Sequence, residues 1–185
     1  MDFHCKAFRF PQQPHMALRL FPPAYFGNVE AQVYRSAFPT EINFAFLQTL
    51  NLKSVILLAR GPESTGFSYF LEDMSIRTIQ LENSVGEELD GSHAVSEEMV
   101  VRSLQALIDP ANHPVLITCA SGKYLTGAVI GCLRKMQHWA LVSVFEEYRR
   151  FAGQRLHQEH EQFVELFDTD LVAVVEGGSL KFSKA

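Results

Sequence analysis

Val115-Leu116-Ile117-Thr118-Cys119-Ala120-Ser121-Gly122-Lys123-Tyr124-Leu125-Thr126-Gly127 decides the fold. Val115 to Thr118 is a short apolar and β-branched run that suits a strand buried on both faces. A glycine-containing loop, 119–124, follows, and a helix is expected from about Leu125 to Gln137. A strand, a short loop and a helix in that order point successive backbone amides at one spot above a helix amino terminus, which favours an anion. The same field favours the thiolate form of a cysteine at the strand end, so Cys119 is a candidate nucleophile. Alone, a cysteine at a strand end is more often a small buried core residue.

Working outward, the same alternation recurs. Ser54 to Ala59 is a continuous apolar run bounded by Lys53 and Gly61-Pro62, a second buried strand. Gln32 to Arg35 is a short strand candidate, and Ile76 to Leu81 alternates as a strand should. Helical periods run through 41–50, 67–74, 141–152 and 157–167. Ser96 followed by Glu97 and Glu98 is a helix start, because the hydroxyl and the carboxylates answer the exposed amides and the dipole. That helix carries Val100, Leu104, Leu107 and Ile108 on one stripe and stops at Asp109-Pro110. Alternating strands and helices predict an α/β fold, a mainly parallel sheet of four or five strands flanked by helices. Ligands of such sheets bind at the carboxyl ends of the strands, here the loops after Ala59, Leu81 and Thr118. Residues 1–20 read as an irregular arm, 21–170 as one domain and 171–185 as a flexible tail.

Composition narrows the function. The chain has 185 residues, 47% hydrophobic and 20% charged, which suits one globular domain. Its apolar runs are far too short to cross a bilayer, and no basic-then-apolar leader opens the sequence, so neither membrane nor secretion is expected. A net charge of −5 argues against nucleic acid as the partner. Three widely spaced cysteines, Cys5, Cys119 and Cys132, suggest reduced thiols in the cytoplasm rather than a disulfide framework. No CxxC is present, and His113 and His138 are not at ligand spacing from a cysteine pair, so no metal is expected.

Several longer strings then matter. Phe21-Pro22-Pro23, Val33-Tyr34-Arg35-Ser36-Ala37-Phe38-Pro39, Asn112-His113-Pro114-Val115-Leu116-Ile117, Gly131-Cys132-Leu133-Arg134-Lys135 and Phe145-Glu146-Glu147-Tyr148-Arg149-Arg150-Phe151-Ala152 occur in one order. With them the chain resembles the plant and fungal atypical dual-specificity phosphatases of the protein tyrosine phosphatase superfamily, some of which cleave inositol pyrophosphates. The likeness spans about Phe21 to Phe167. It implies a compact dual-specificity phosphatase fold, no cofactor, and a phosphorylated small molecule or phosphoprotein as ligand. Association with related phosphatase-like proteins is a further implication.

The family loop reads His-Cys, five residues, then Arg-Thr-Gly. This chain keeps Cys119, Gly122, Lys123, Thr126 and Gly127 but has Thr118 for the histidine, Ser121 and Tyr124 at usually basic positions, and Leu125 for the arginine. An arginine there forks two hydrogen bonds onto phosphoryl oxygens, and leucine supplies neither donor nor charge. The resemblance therefore implies a phosphate cradle made by the backbone of Ala120, Ser121, Gly122, Lys123, Tyr124 and Leu125, with Thr126 beside it. Catalysis is expected to be impaired. A general acid would come from Asp90, with Glu87 or Glu88 as substitutes, although any one acid on such a loop is more often a solvated surface group. Arg60, at the end of the 54–59 strand, is a candidate replacement for the missing charge. The competing functions are an impaired homologue that acts by binding, a working cysteine-dependent phosphatase, and a thiol redox sensor at Cys119. Cys132, Tyr148 and Phe151 read as packing residues, Trp139 as packed where two helices meet, and Arg134-Lys135 and Arg149-Arg150 as solvated helix faces.

Overall fold

The computed structural model describes residues 19–59, 65–81, 95–153 and 158–172. Among these residues five strands form one sheet: β1 (Gly27–Glu30), β2 (Val33–Ala37), β3 (Ser54–Leu57), β4 (Arg77–Gln80) and β5 (Val115–Cys119). They are ordered β1-β2-β5-β3-β4, with β1 antiparallel to β2 and the remaining neighbours parallel. The helices are α1 (Phe44–Thr49), α2 (Thr65–Asp73), α3 (Glu97–Ile108), α4 (Tyr124–Met136), α5 (Leu141–Ala152) and α6 (Gln158–Leu166). The expected α/β architecture is the observed one.

Every residue of β5 is buried, as its central place requires. Its side chains alternate between two apolar layers. Val115, Ile117 and Cys119 join Val33, Ile56 and residues of α3 to α6, whereas Leu116 joins Val55 and the residues around α1 and α2. Helices thus cover both faces, as parallel strands demand. The predicted stripe of α3 is buried at Val100, Leu104, Leu107 and Ile108, and the Met99 amide donates to Ser96 Oγ at 3.4 Å as the cap. Among the described residues no helix is long and apolar enough to cross a membrane.

Two strands differ from expectation. β1 has no counterpart in the sequence reading; it pairs with β2 through a turn at Ala31-Gln32, where Gln32 has φ +66°. β4 is shorter than the predicted 76–81 run, and it is an edge strand whose residues are mostly exposed. Ile76 and Leu81, just outside it, are the buried residues of that run.

Register fixes the functional end of the sheet. Ala37 pairs with Cys119, and Leu57 with Thr118, so the carboxyl ends of β2, β5 and β3 lie side by side. Phe38 donates its amide to the Cys119 carbonyl at 3.0 Å, extending that pairing one residue past β2.

Candidate active site: the Cys119 loop

Cys119 ends β5 with its side chain turned into the layer beneath α4. Two donors reach its sulfur: the Gly122 amide at 3.2 Å and Thr126 Oγ1 at 3.1 Å. Ser121 Oγ lies 4.0 Å away and accepts from the Lys123 amide at 3.2 Å. Two donors aimed at one sulfur suit a thiolate, which accepts strongly, better than a thiol. The loop bends at Gly122, with φ +67°. A Cβ on this residue would stand 2.3 Å from the Ala37 nitrogen, so only glycine lets the loop rest on the end of β2.

The remaining cradle residues divide by exposure. Ala120 is exposed, Ser121, Lys123 and Tyr124 are half-buried, and Gly122, Leu125 and Thr126 are buried. Lys123 Nζ lies 4.6 Å from the centre of the Tyr25 ring, a cation–π contact at the rim. Among the amides of 120–125, that of Gly122 points at the sulfur and that of Lys123 is taken by Ser121. Leu125 is 2% exposed and belongs to the apolar layer that also holds Leu58, Leu81, Ala128 and Val129. Position 125 therefore serves the core. Thr118, the residue before Cys119, is fully buried and its hydroxyl meets no partner among the described residues.

Arg60, Glu87, Glu88 and Asp90 lie outside the described residues, as do Cys5 and most of the predicted arm and tail. The structure adds a residue that the sequence reading did not single out. Arg35, on β2, is 1% exposed and donates from Nη2 to the Gly122 carbonyl at 3.0 Å. Its guanidinium lies 3.8 Å from the centre of the Phe151 ring. Burial lowers its pKa to about 10, against the opposing pull of Glu147, Cys119 and Tyr148. The available signal was its phase: Val33, Arg35 and Ala37 alternate with Tyr34 and Ser36, so an inward Val33 implies an inward arginine.

The surroundings correct two expectations. Arg134 is not on a solvated face: it is 4% exposed, bonded to Glu147 through Nε at 2.8 Å, to Glu30 through Nη1 at 2.6 Å and to the Val29 carbonyl at 2.8 Å. It clamps α4 to α5 and to β1. Trp139 is 43% exposed rather than packed between helices, and it lies against the Arg134 guanidinium at 4.2 Å. Lys135 binds the carbonyls of Val164, Glu165 and Phe167 at the end of α6. Cys132 and Tyr148 are buried; burial pushes both of their pKa values well above the ordinary range, and Tyr148 shares a hydrogen bond with His160 Nδ1 at 2.9 Å.

A cysteine closing the central parallel strand, cradled by an amide and a hydroxyl at a helix start, fits the phosphatase-like scaffold expected from the sequence. Residues 20–182 match the tyrosine phosphatase family, and the chain belongs to it. It is 47% identical over 151 residues to a Dictyostelium discoideum protein named "Probable tyrosine-protein phosphatase DG1060", covering 82% of this chain and 90% of that one. It is 42% identical to the inositol diphosphatase DSP3 of Arabidopsis thaliana, over 80% of this chain and 72% of the relative. Among solved structures, the catalytic domain of the PP-IP phosphatase SIW14 from S. cerevisiae, in complex with citrate, superposes with a TM-score of 0.75. That pair is 36% identical, over 82% of this chain and 90% of the other.

Proposed function

We propose that this protein binds a phosphorylated ligand at the Cys119 loop and hydrolyses it far more slowly than relatives whose loop carries an arginine. The observation that carries this reading is Leu125, whose side chain lies in the apolar core, at the sequence position where the resemblance puts a phosphoryl-binding arginine. By analogy with arginine fingers, the missing fork removes roughly 10³ to 10⁵ in rate, about 4–7 kcal/mol of transition-state stabilisation. Binding depends on parts that remain: the start of α4 and the cation of Lys123. The names of the relatives support an inositol pyrophosphate or a phosphotyrosine as the ligand class. A cytoplasmic location, and a role in association with related phosphatase-like proteins, belong to the same reading.

One observation favours a second reading, a working phosphatase. Gly122 and Thr126 still hold Cys119 as a nucleophile should be held. Asp90, Glu87 or Glu88 would then act as the acid. Calorimetric titration of the wild-type chain with inorganic phosphate and with an inositol pyrophosphate, while phosphate release is followed, separates the two. Binding without release is expected. Rapid release that Cys119→Ser abolishes would establish the working enzyme, and neither binding nor release would remove the phosphate-ligand role altogether.

A further inference from the structure

Arg35 is a buried cation that meets no carboxylate at hydrogen-bond distance among the described residues. Its Nη2 donates to Gly122, but Nε and Nη1 meet no acceptor among the described residues. The carboxylate whose charge acts on it most is Glu147, and Arg134 already holds that group through Nε at 2.8 Å and Nη2 at 3.2 Å. An unpaired guanidinium in the interior is expensive, and interiors keep such groups when an anion answers them. Among the described residues, the next acidic group in its field is Cys119. Gly122 links the two, accepting from Arg35 through its carbonyl and donating to Cys119 Sγ through its amide.

We propose that Arg35 is a positioning residue for the Cys119 loop, holding Gly122 from beneath and serving as the counter-charge of a Cys119 thiolate or of an anion bound above it. It thereby supplies, from β2, part of the positive field that Leu125 withholds. This inference rests on the loop being an anion site. A purely structural Arg35 would need only a donor for the Gly122 carbonyl; a counter-charge needs the charge itself. Among the described residues, the other titratable or charged groups around the pair are Lys123, Tyr124 and Arg134 on and before α4, Glu147 and Tyr148 on α5, and His160 on α6.

Two variants of the full chain separate donor from charge. Arg35→Gln keeps an N–H for Gly122 and loses the charge, and Arg35→Lys keeps the charge. The readouts are the pH dependence of Cys119 alkylation by iodoacetamide, resolved by mass spectrometry, and the affinity for inorganic phosphate. Arg35→Gln is expected to move the alkylation midpoint up by about one pH unit and to weaken phosphate binding about tenfold, with Arg35→Lys recovering most of both. An unmoved midpoint in folded Arg35→Gln, or a lysine variant as impaired as the glutamine one, overturns the counter-charge role. Should neither variant fold, the difference in unfolding free energy between wild type and Cys119→Ser must widen from about pH 6 to about pH 9, and a flat difference overturns the role instead. Failure of the wild type to bind phosphate would sink the ligand-binding reading while leaving the alkylation comparison intact.

Discussion

Placing an alanine at Gly122 sets a methyl group 2.3 Å from the Ala37 nitrogen and 2.7 Å from both Ala37 Cα and the Ser36 carbonyl carbon. All three are backbone atoms of β2, so no side chain can swing away. Relief to ordinary contact at 3.4 Å moves the loop by about 1.1 Å. A shift of that size breaks the bonds from Gly122 to Cys119 Sγ at 3.2 Å and from Arg35 at 3.0 Å. The positive φ costs an L residue roughly 1–2 kcal/mol. Leaving the Arg35 guanidinium with no acceptor adds about 1.5–3 kcal/mol. A loss of about 2.5–5 kcal/mol follows, measurable by urea denaturation with a two-state fit, and phosphate affinity should fall with it. Gly153→Ala is the control: its φ of +76° and ψ of −147° suit only glycine, yet a Cβ there meets no atom within 4 Å. It should show backbone strain alone, about 1–3 kcal/mol, with phosphate binding unchanged. Gly122→Ala as stable as Gly153→Ala, and binding phosphate as wild type does, would refute the packing described for the loop.

Cys119 should be alkylated faster than Cys132 in the native protein, because two donors hold the Cys119 sulfur while burial keeps Cys132 a thiol; site-resolved mass spectrometry at several pH values would contradict this by finding equal rates. Cys132 and Tyr148 both have folded pKa values raised by burial, so stability is fully present below their unfolded values and falls as pH rises past about 8.5 and then about 10, by up to ~1.4 kcal/mol per pH unit for each group. Cys132→Ala should flatten the first decline in denaturation midpoints, and an unchanged slope would show that the buried thiol is not responsible. Arg134→Met should cost about 3 kcal/mol, since it strips Glu147 and Glu30 of their common partner, and a loss under about 1 kcal/mol would mean that the clamp adds little.

The parts of the fold legible in the sequence are those with a strong period or a strong cap. β5 and β3 announce themselves as apolar runs because both lie inside the sheet, and α3 through its serine cap and one buried stripe. β1 is invisible for a physical reason: only Val29 of its four residues is buried, and its turn places Gln32 at positive φ without the glycine or asparagine that normally marks a hairpin. β4 misleads because an edge strand has little to bury, so its alternation has no consequence. In the site, the strand-loop-helix order around Cys119 and Gly122 is legible, but the burial of the Leu125 side chain in the core is not. Arg35 and Arg134 escape for another reason. Local arithmetic treats a charge as solvated, whereas their partners lie 87 residues away at Gly122 and 104 residues away at Glu30.

Turnover of a generic aryl phosphate tests the central claim most directly, measured for wild type and Leu125→Arg, each against its own Cys119→Ser control. Wild-type kcat/KM should lie orders of magnitude below that of a family member with the intact loop. Leu125→Arg should recover only part of the deficit, because Thr118, Ser121 and Tyr124 still differ, groups that act as a unit are not repaired singly, and the new side chain must leave a position now packed in the core. Robust wild-type turnover that disappears on Cys119→Ser would contradict the account and leave an enzyme that works without the arginine.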